Sequence, residues 1–167
     1  ISDASVKVIA SLKDLERDRG NANKGTGRGL ALLESSVRRY GMGRSVVVDK
    51  YGRVIAGNRM VETAADVGMQ EVIVVPSDGT KLVVVQRTDL NLDTDARAKE
   101  LGIADNRTGE VGLDWDVEQL QALAQEGVDV RQFFYDLEWR ALLDATDVMN
   151  DGEEIPEMAL QPFEEYN

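Results

Sequence analysis

The 167-residue chain is long enough for one globular domain with a sizeable core, or for one small domain plus an appendage. With no Cys and no His, disulfides, thiolate or imidazole chemistry and Cys- or His-ligated metals are excluded, leaving Asp, Glu, Lys, Arg, Tyr, hydroxyls, backbone amides or a hard metal held by oxygens. The net charge of −12 excludes a generic DNA coat, yet residues 1–60 carry twelve Lys/Arg against six Asp/Glu, while residues 61–167 carry seven against twenty-five.

Residues 5–10 (SVKVIA) alternate polar and apolar, which predicts a short strand. Residues 11–24 are charged and broken by Gly20, and read mostly as loop. Leu30, Leu33, Ser36 and Val37 then recur at helical spacing, with Glu34, Arg38 and Arg39 on the other side. That helix follows Thr26 and stops near Tyr40, with Gly41 as its C-cap. Residues 46–49 (VVVD), a Lys50-Tyr51-Gly52 turn and residues 53–56 (RVIA) predict a β-hairpin. Gly57 opens the next helix, whose apolar face is Met60, Val61, Ala64 and Ala65, and Gly68 ends it. Residues 71–75 (EVIVV) and 81–86 (KLVVVQ), joined by Ser77-Asp78-Gly79, predict a second hairpin. The consecutive apolar positions in these strands predict a sheet covered on both faces.

The character then changes. Residues 95–104 predict a helix capped by Thr94, and residues 105–110 (DNRTGE) a polar loop. Residues 116–125 and 129–143 predict two amphipathic helices split by Gly127, in which Trp115, Phe133, Phe134 and Trp139 serve core or interface packing. Residues 150–167 are acidic, hold two of the three prolines and read as a loose tail. The expected fold class is α/β (α+β), a mixed sheet with helices over residues 1–112. A helical appendage over residues 113–149 and an acidic tail over 150–167 follow.

Two segments could carry chemistry. At Gly57 a hairpin delivers the chain to a helix N-terminus, where unpaired amides and the positive end of the dipole face outward and Arg59 adds a cationic fork. That is a phosphate or carboxylate cradle, or simply a strand-to-helix turn that needed a glycine. The second is the Gly-rich basic loop at residues 20–29 (GNANKGTGRG). It lacks the Lys of a Walker A loop and reads either as a backbone nest for phosphate or as a surface loop. Asp105, Asn106 and Glu110 could hold Mg²⁺ beside a phosphate, or end a helix as an Asx turn.

The stretch 46–68 (VVVDKYGRVIAGNRMVETAADVG) resembles the ParB/sulfiredoxin superfamily, in its ParB N-terminal-domain ("ParB-like nuclease") branch. The carrying residues are Asp49, the Tyr51-Gly52 turn, Val54-Ile55-Ala56-Gly57, Arg59, Ala64-Ala65 and the step from Gly68 to Val72. Supporting elements are Asn21 and Asn23 before a helix ending Ser35-Ser36-Val37-Arg38-Arg39-Tyr40-Gly41, and the acid-Asn box at Asp105-Asn106. The resemblance covers residues 5–112. It departs from sulfiredoxin at Asn58, which stands where that enzyme has its Cys, and from partition proteins in reading Gly57-Asn58-Arg59-Met60 instead of G-E-R-R. No partition-type helix-turn-helix follows.

The resemblance implies a nucleotide-binding, and by extension nucleotide-hydrolysing (ATPase or CTPase), ParB-like domain of a phage, plasmid or mobile-element DNA-maintenance system. Its phosphate-binding residues would be Asn23, Lys24, Gly25, Thr26, Arg28, Gly57, Asn58, Arg59 and Asn106. Asp105 and Glu110 would be the catalytic and metal candidates, with Mg²⁺ arriving beside a nucleoside triphosphate. The alternatives are a metal-dependent DNA nuclease or DNA-binding domain, and a non-catalytic adaptor of a DNA methyltransferase docking through its acidic helices. Duplex DNA is expected to bind weakly to so acidic a chain. No apolar run approaches the roughly 20 residues of a membrane span, so no membrane partner is expected. The absence of Cys fits a reducing cytoplasm, the expected location. The chain opens at Ile1, not Met, so an upstream segment is expected.

Overall fold

The computed structural model describes residues 6–150, with side chains through Ala145. Five α-helices and one two-stranded antiparallel sheet make an α+β architecture among these residues. The first helix, α1, spans Gly27–Tyr40. Thr26 caps it, its hydroxyl accepting from the Gly29 amide at 2.9 Å. Gly41 ends it, and its amide donates to the Val37 carbonyl. The carbonyls at and just past the end of α1 have a further donor. Arg87 donates to Tyr40 O at 2.7 Å and to Met42 O at 3.1 Å. Asp89 fixes that guanidinium, and the hydrogen bond from Arg87 holds the Asp89 carboxyl down at about 2.

Strand β1 (Val47–Val48) pairs with β2 (Val54–Ala56), Val47 opposite Ala56 and Val48 opposite Val54. The turn between them is built by Asp49, whose carboxylate accepts from the Tyr51 and Arg53 amides and from Arg53 Nε. On the far side of β2, Glu16 forms an isolated parallel bridge with Arg53. Helix α2 (Asn58–Asp66) leaves the sheet directly and buries Met60, Val61, Thr63 and Ala64. Helix α3 (Ala96–Val111) starts at Asp95, which accepts from the Arg97 amide.

Helices α1 and α3 run antiparallel. Gly29 abuts Gly112, and Gly43 abuts the Leu101 side chain. A Cβ on Gly29 would lie 2.6 Å from the Gly112 Cα, so this contact is backbone against backbone. Thr26 reinforces it by donating to the Val111 carbonyl at 2.6 Å. The first compact unit ends at Gln119. The second begins at Leu120 and holds the end of α4 (Val117–Gln125), a 3-10 turn at Val130–Phe133 and α5 (Asp136–Asn150). Within it, Phe134 tilts against Trp139 at 5.5 Å and Arg131 lies over the Trp139 ring.

Several expectations change. Residues 6–10 of the first predicted strand form no strand, although the Lys7 amide donates to the Lys50 carbonyl at 2.8 Å, and Ser5 lies outside the described residues. Residues 71–75 and 81–86 are not strands either. No backbone hydrogen bond joins residues 71–86 to each other or to another described segment, and Ile73 is 95% and Leu82 89% exposed. Their composition favours β structure, but a strand exists only where a partner pairs its backbone groups. The sheet is not covered on both faces, since Val54 is buried while Val47 and Ile55 are exposed.

Residues 105–110 are not a loop but the last turns of α3, and the cap is Asp95, not Thr94. Three ties hold this stretch helical: Thr108 Oγ1 donates to Ala104 O at 2.7 Å, Arg107 pairs with Glu110, and Arg44 pairs with Asp105. The helix predicted over 129–143 is broken at Phe134, which is extended, and Phe133 is exposed instead of packed. The acidic tail from Asp151 onward lies outside the described residues. No helix among the described residues is long and apolar enough to cross a membrane.

The glycine contact gives a direct test of the α1–α3 packing. Gly29→Ala should destabilise the fold by about 1–3 kcal/mol through overpacking. Gly27→Ala, with nothing within 4 Å of the new Cβ, should be neutral or stabilising by up to about 1 kcal/mol. Urea denaturation of both variants would show the difference; equal stabilities would mean the helices are not in backbone contact.

Candidate functional site

The site starts from one turn. At Gly57 the chain passes from β2 into α2 with φ +104°, a conformation only glycine adopts without strain. A Cβ there would also press on Val46 Cγ2 at 3.1 Å. The turn puts Asn58 and Arg59 in the first turn of α2, where the amides have no intrahelical acceptor. Asn58 Oδ1 accepts from the Asp18 amide at 2.9 Å, which ties the N-terminal segment to the turn.

Arg59 reaches across to the glycine-rich loop. Its Nη2 donates to the Lys24 carbonyl, and its Nη1 lies 3.4 Å from Glu62 Oε2. The guanidinium passes directly beneath Gly25, where a Cβ would come within 2.8 Å of Arg59 Nε. Gly25 has φ +66° and so is required twice, by its backbone and by the arginine. The loop is clamped from the other side by Asn23. Its Oδ1 accepts from the Gly25 amide at 2.9 Å and from the Asp114 amide at 3.0 Å. Lys24 and Asp116 add an ion pair at 3.3 Å. The Gln119 amide and then Lys24 hold the Asp116 carboxyl below its ordinary range.

These contacts enclose a cleft of about 400 Å³ along α1. One end holds Gly25, Thr26, Gly57, Asn58 and Arg59. Leu30, Leu33, Ser36 and Val37 of α1 line its length, with Met60 of α2 and Leu101 of α3. Arg44 and Asp105 close a wall: Arg44 Nε and Nη2 donate to the Asp105 carboxylate, and Nη2 also reaches the Asp105 carbonyl at 2.9 Å. The bond to Asp105 raises the Arg44 pKa further. A second hollow of about 300 Å³ shares Asn23, Asn58 and Arg59 with the first and is lined also by Arg17, Arg19, Lys24 and Glu62.

The expected phosphate-binding residues divide. Asn23, Gly25, Thr26, Gly57, Asn58 and Arg59 meet at the cleft, and Lys24 lines the second hollow. The side-chain oxygens of Asn23, Thr26 and Asn58 are engaged within the protein, so they shape the cleft more than they offer ligand groups. Arg28 and Asn106 are exposed and line neither hollow. Asp105 and Glu110 do not converge. Five residues apart on α3, they project about 140° from one another, and each is paired with its own arginine, Arg44 or Arg107. Among the described residues no cluster of three or more carboxylates could hold a metal.

Sequence reasoning missed Arg44, whose partner is sixty-one residues away and is announced by no local pattern. It placed Ser36 on the correct helix face without giving it a part in the site. Comparison of the chain with family models, with curated proteins and with solved structures finds no match.

If Arg59 and Gly25 are mutually dependent, their substitutions should not add. Gly25→Ala should cost about 1–3 kcal/mol in the parent, from strain and overlap. In an Arg59→Ala background the same change should cost about 1 kcal/mol less, because the overlap is gone. A double-mutant cycle in urea checks this, and strict additivity would separate the two residues.

Proposed function

We propose that residues 1–112 form a nucleotide-binding domain of the ParB/sulfiredoxin type, which holds phosphate at the α2 N-terminus, residues 57–59. The observation that carries the reading is the cleft, in which the first turn of α2, the Gly25 loop and the Arg59 guanidinium share one end while apolar side chains line the rest. Outward amides and an adjacent cation are what a phosphate needs. Leu30, Leu33, Val37 and Leu101 supply the apolar surface that a base needs. The volume suits one small ligand. The resemblance at residues 46–68 favours the same ligand class, within a DNA-maintenance system.

Mg²⁺ held jointly by Asp105 and Glu110 does not fit the geometry, since the two carboxylates face different ways and are each neutralised by an arginine. Binding is therefore the proposed activity, and no hydrolytic step is routed through that pair. The nuclease reading relies on the same two carboxylates and ranks second for the same reason. Charge distribution supports a small anion over a long one. Arg59 stands in the cleft and Lys24, Arg17 and Arg19 line the hollow beside it, while acidic charge beyond a Debye length of roughly 8–10 Å is screened from a small ligand but not from a duplex.

Calorimetric titration with ATP, CTP, GTP and ADP in the presence of Mg²⁺ tests this, with saturable binding of at least one expected. Arg59→Ala should weaken that binding by about 1.5–3 kcal/mol, the loss of a charge-assisted hydrogen bond. Arg28→Ala, outside both hollows, should leave it unchanged. Silence with all four nucleotides would sink the proposal.

A further inference from the structure

The exposed runs at 71–75 and 81–86 lie between two anchors. Before them, the Gln70 carbonyl accepts from the Leu12 amide at 2.9 Å. After them, Arg87 donates to Tyr40 O and Met42 O. The tip that joins the runs is a built turn. The Gly79 amide donates to Ser77 Oγ at 3.1 Å, the Thr80 amide donates to Asp78 Oδ1 at 3.0 Å, and Gly79 is left-handed at φ +80°. Neither run has a backbone hydrogen-bond partner among the described residues. Every residue of 81–86 is exposed, Leu82 at 89% and Val84 at 73%. High β propensity, a single charge and no Gly or Pro make KLVVVQ a segment suited to pairing with a free strand edge.

Its own sequence says which edge. Two antiparallel strands related by a two-fold axis have that axis normal to the ladder, so one residue faces its own copy. With Val83 on the axis, Leu82 faces Val84 of the second copy, Lys81 faces Val85 and Thr80 faces Gln86. Leu82 and Val84 of both copies then share one face as an apolar cluster, closed at each end by Thr80 and Gln86. No like charges meet. Moving the axis to Val84 sets Lys81 against Arg87, and parallel in-register pairing sets Lys81 against Lys81, both unfavourable. The run 71–75 is the poorer candidate, because Pro76 at its end has no amide to donate to a ladder.

We propose that residues 81–86 are a self-association strand, pairing antiparallel with the same residues of a second copy of this chain about a two-fold axis at Val83. The pairing gives the free amides and carbonyls of both copies partners and removes an exposed apolar run from water. An isologous contact is closed, so the expected assembly is a dimer. The inference is independent of what the cleft binds.

Sedimentation equilibrium of the full chain over a concentration series tests this. The parent should rise from the mass of one chain, 18.4 kDa, toward twice that mass. Val83→Glu sets two carboxylates face to face on the axis and Val83→Lys sets two ammonium groups there. Each variant alone should therefore associate about fivefold to tenfold more weakly than the parent. Mixed in equal amounts, the two should recover the dimer, since glutamate then faces lysine. Val83 is exposed, so both variants should melt at the parent temperature. Amide hydrogen exchange gives a readout that needs no substitution: residues 82–85 of the parent should exchange more slowly at concentrations where the dimer forms. A parent that keeps the mass of one chain at every concentration overturns the proposal. Variants that associate as the parent does also overturn it, as does a mixture no heavier than its separate components, because either result places the contact elsewhere.

Discussion

The Arg59 guanidinium lies under Gly25 and donates to the Lys24 carbonyl, and the geometry of the cleft depends on that crossing. Without it the glycine-rich loop would keep its ties to the end of α3 and to the 114–116 stretch, through Asn23, Lys24 and Thr26. With it the loop is also fixed to the turn that starts α2. The crossing imposes requirements on its neighbours. Gly25 can carry no side chain because the arginine fills that space. Gly57 must take a left-handed conformation so that Arg59 leaves α2 in its first turn. A cation held this way is already oriented, so little side-chain entropy remains to be lost when an anion joins it.

The remaining walls follow from close approach of α1 and α3. Gly29 and Gly112 let the two backbones touch, and the Thr26 hydroxyl bridges them by capping α1 and donating to the end of α3. Thr26 thus joins a local task, starting a helix, to a distant one, aligning α3. Further along, Arg44 folds back onto Asp105. Its charge is neutralised there, so the cleft is less basic than a count of its arginines suggests. Selectivity must then come from placement of amides and hydroxyls more than from net charge.

What could be read from the sequence was what is decided locally. A helix following Thr26 and closed by Gly41, Gly57 opening a helix and Gly68 following its end depend on backbone conformations set by the residues themselves, and the structure has each in place. Most of the residues expected around the cleft do meet there, because the Gly57 turn and the Gly25 loop each carry a local signature. Residues 71–86 show the converse. Valine-rich runs favour extended structure, but pairing is a property of the partner, and no sequence rule supplied one. The 105–110 stretch failed for a related reason. Asp, Asn and Gly argue for a turn, whereas contacts from Arg44, Arg107 and Thr108 keep it helical.

The central claim is that one cleft, joining the Gly25 loop to the Gly57 turn, receives the ligand. Amide chemical shifts measured during titration with the tightest-binding ribonucleoside triphosphate test it most directly, since glycines mark both the site and its surroundings. The Gly25, Gly57 and Gly109 amides border the cleft and should shift together in proportion to occupancy. Those of Gly68, Gly79 and Gly127, which lie outside it, should stay in place. Saturating shifts at those three glycines, with Gly25 and Gly57 unmoved, would contradict the account.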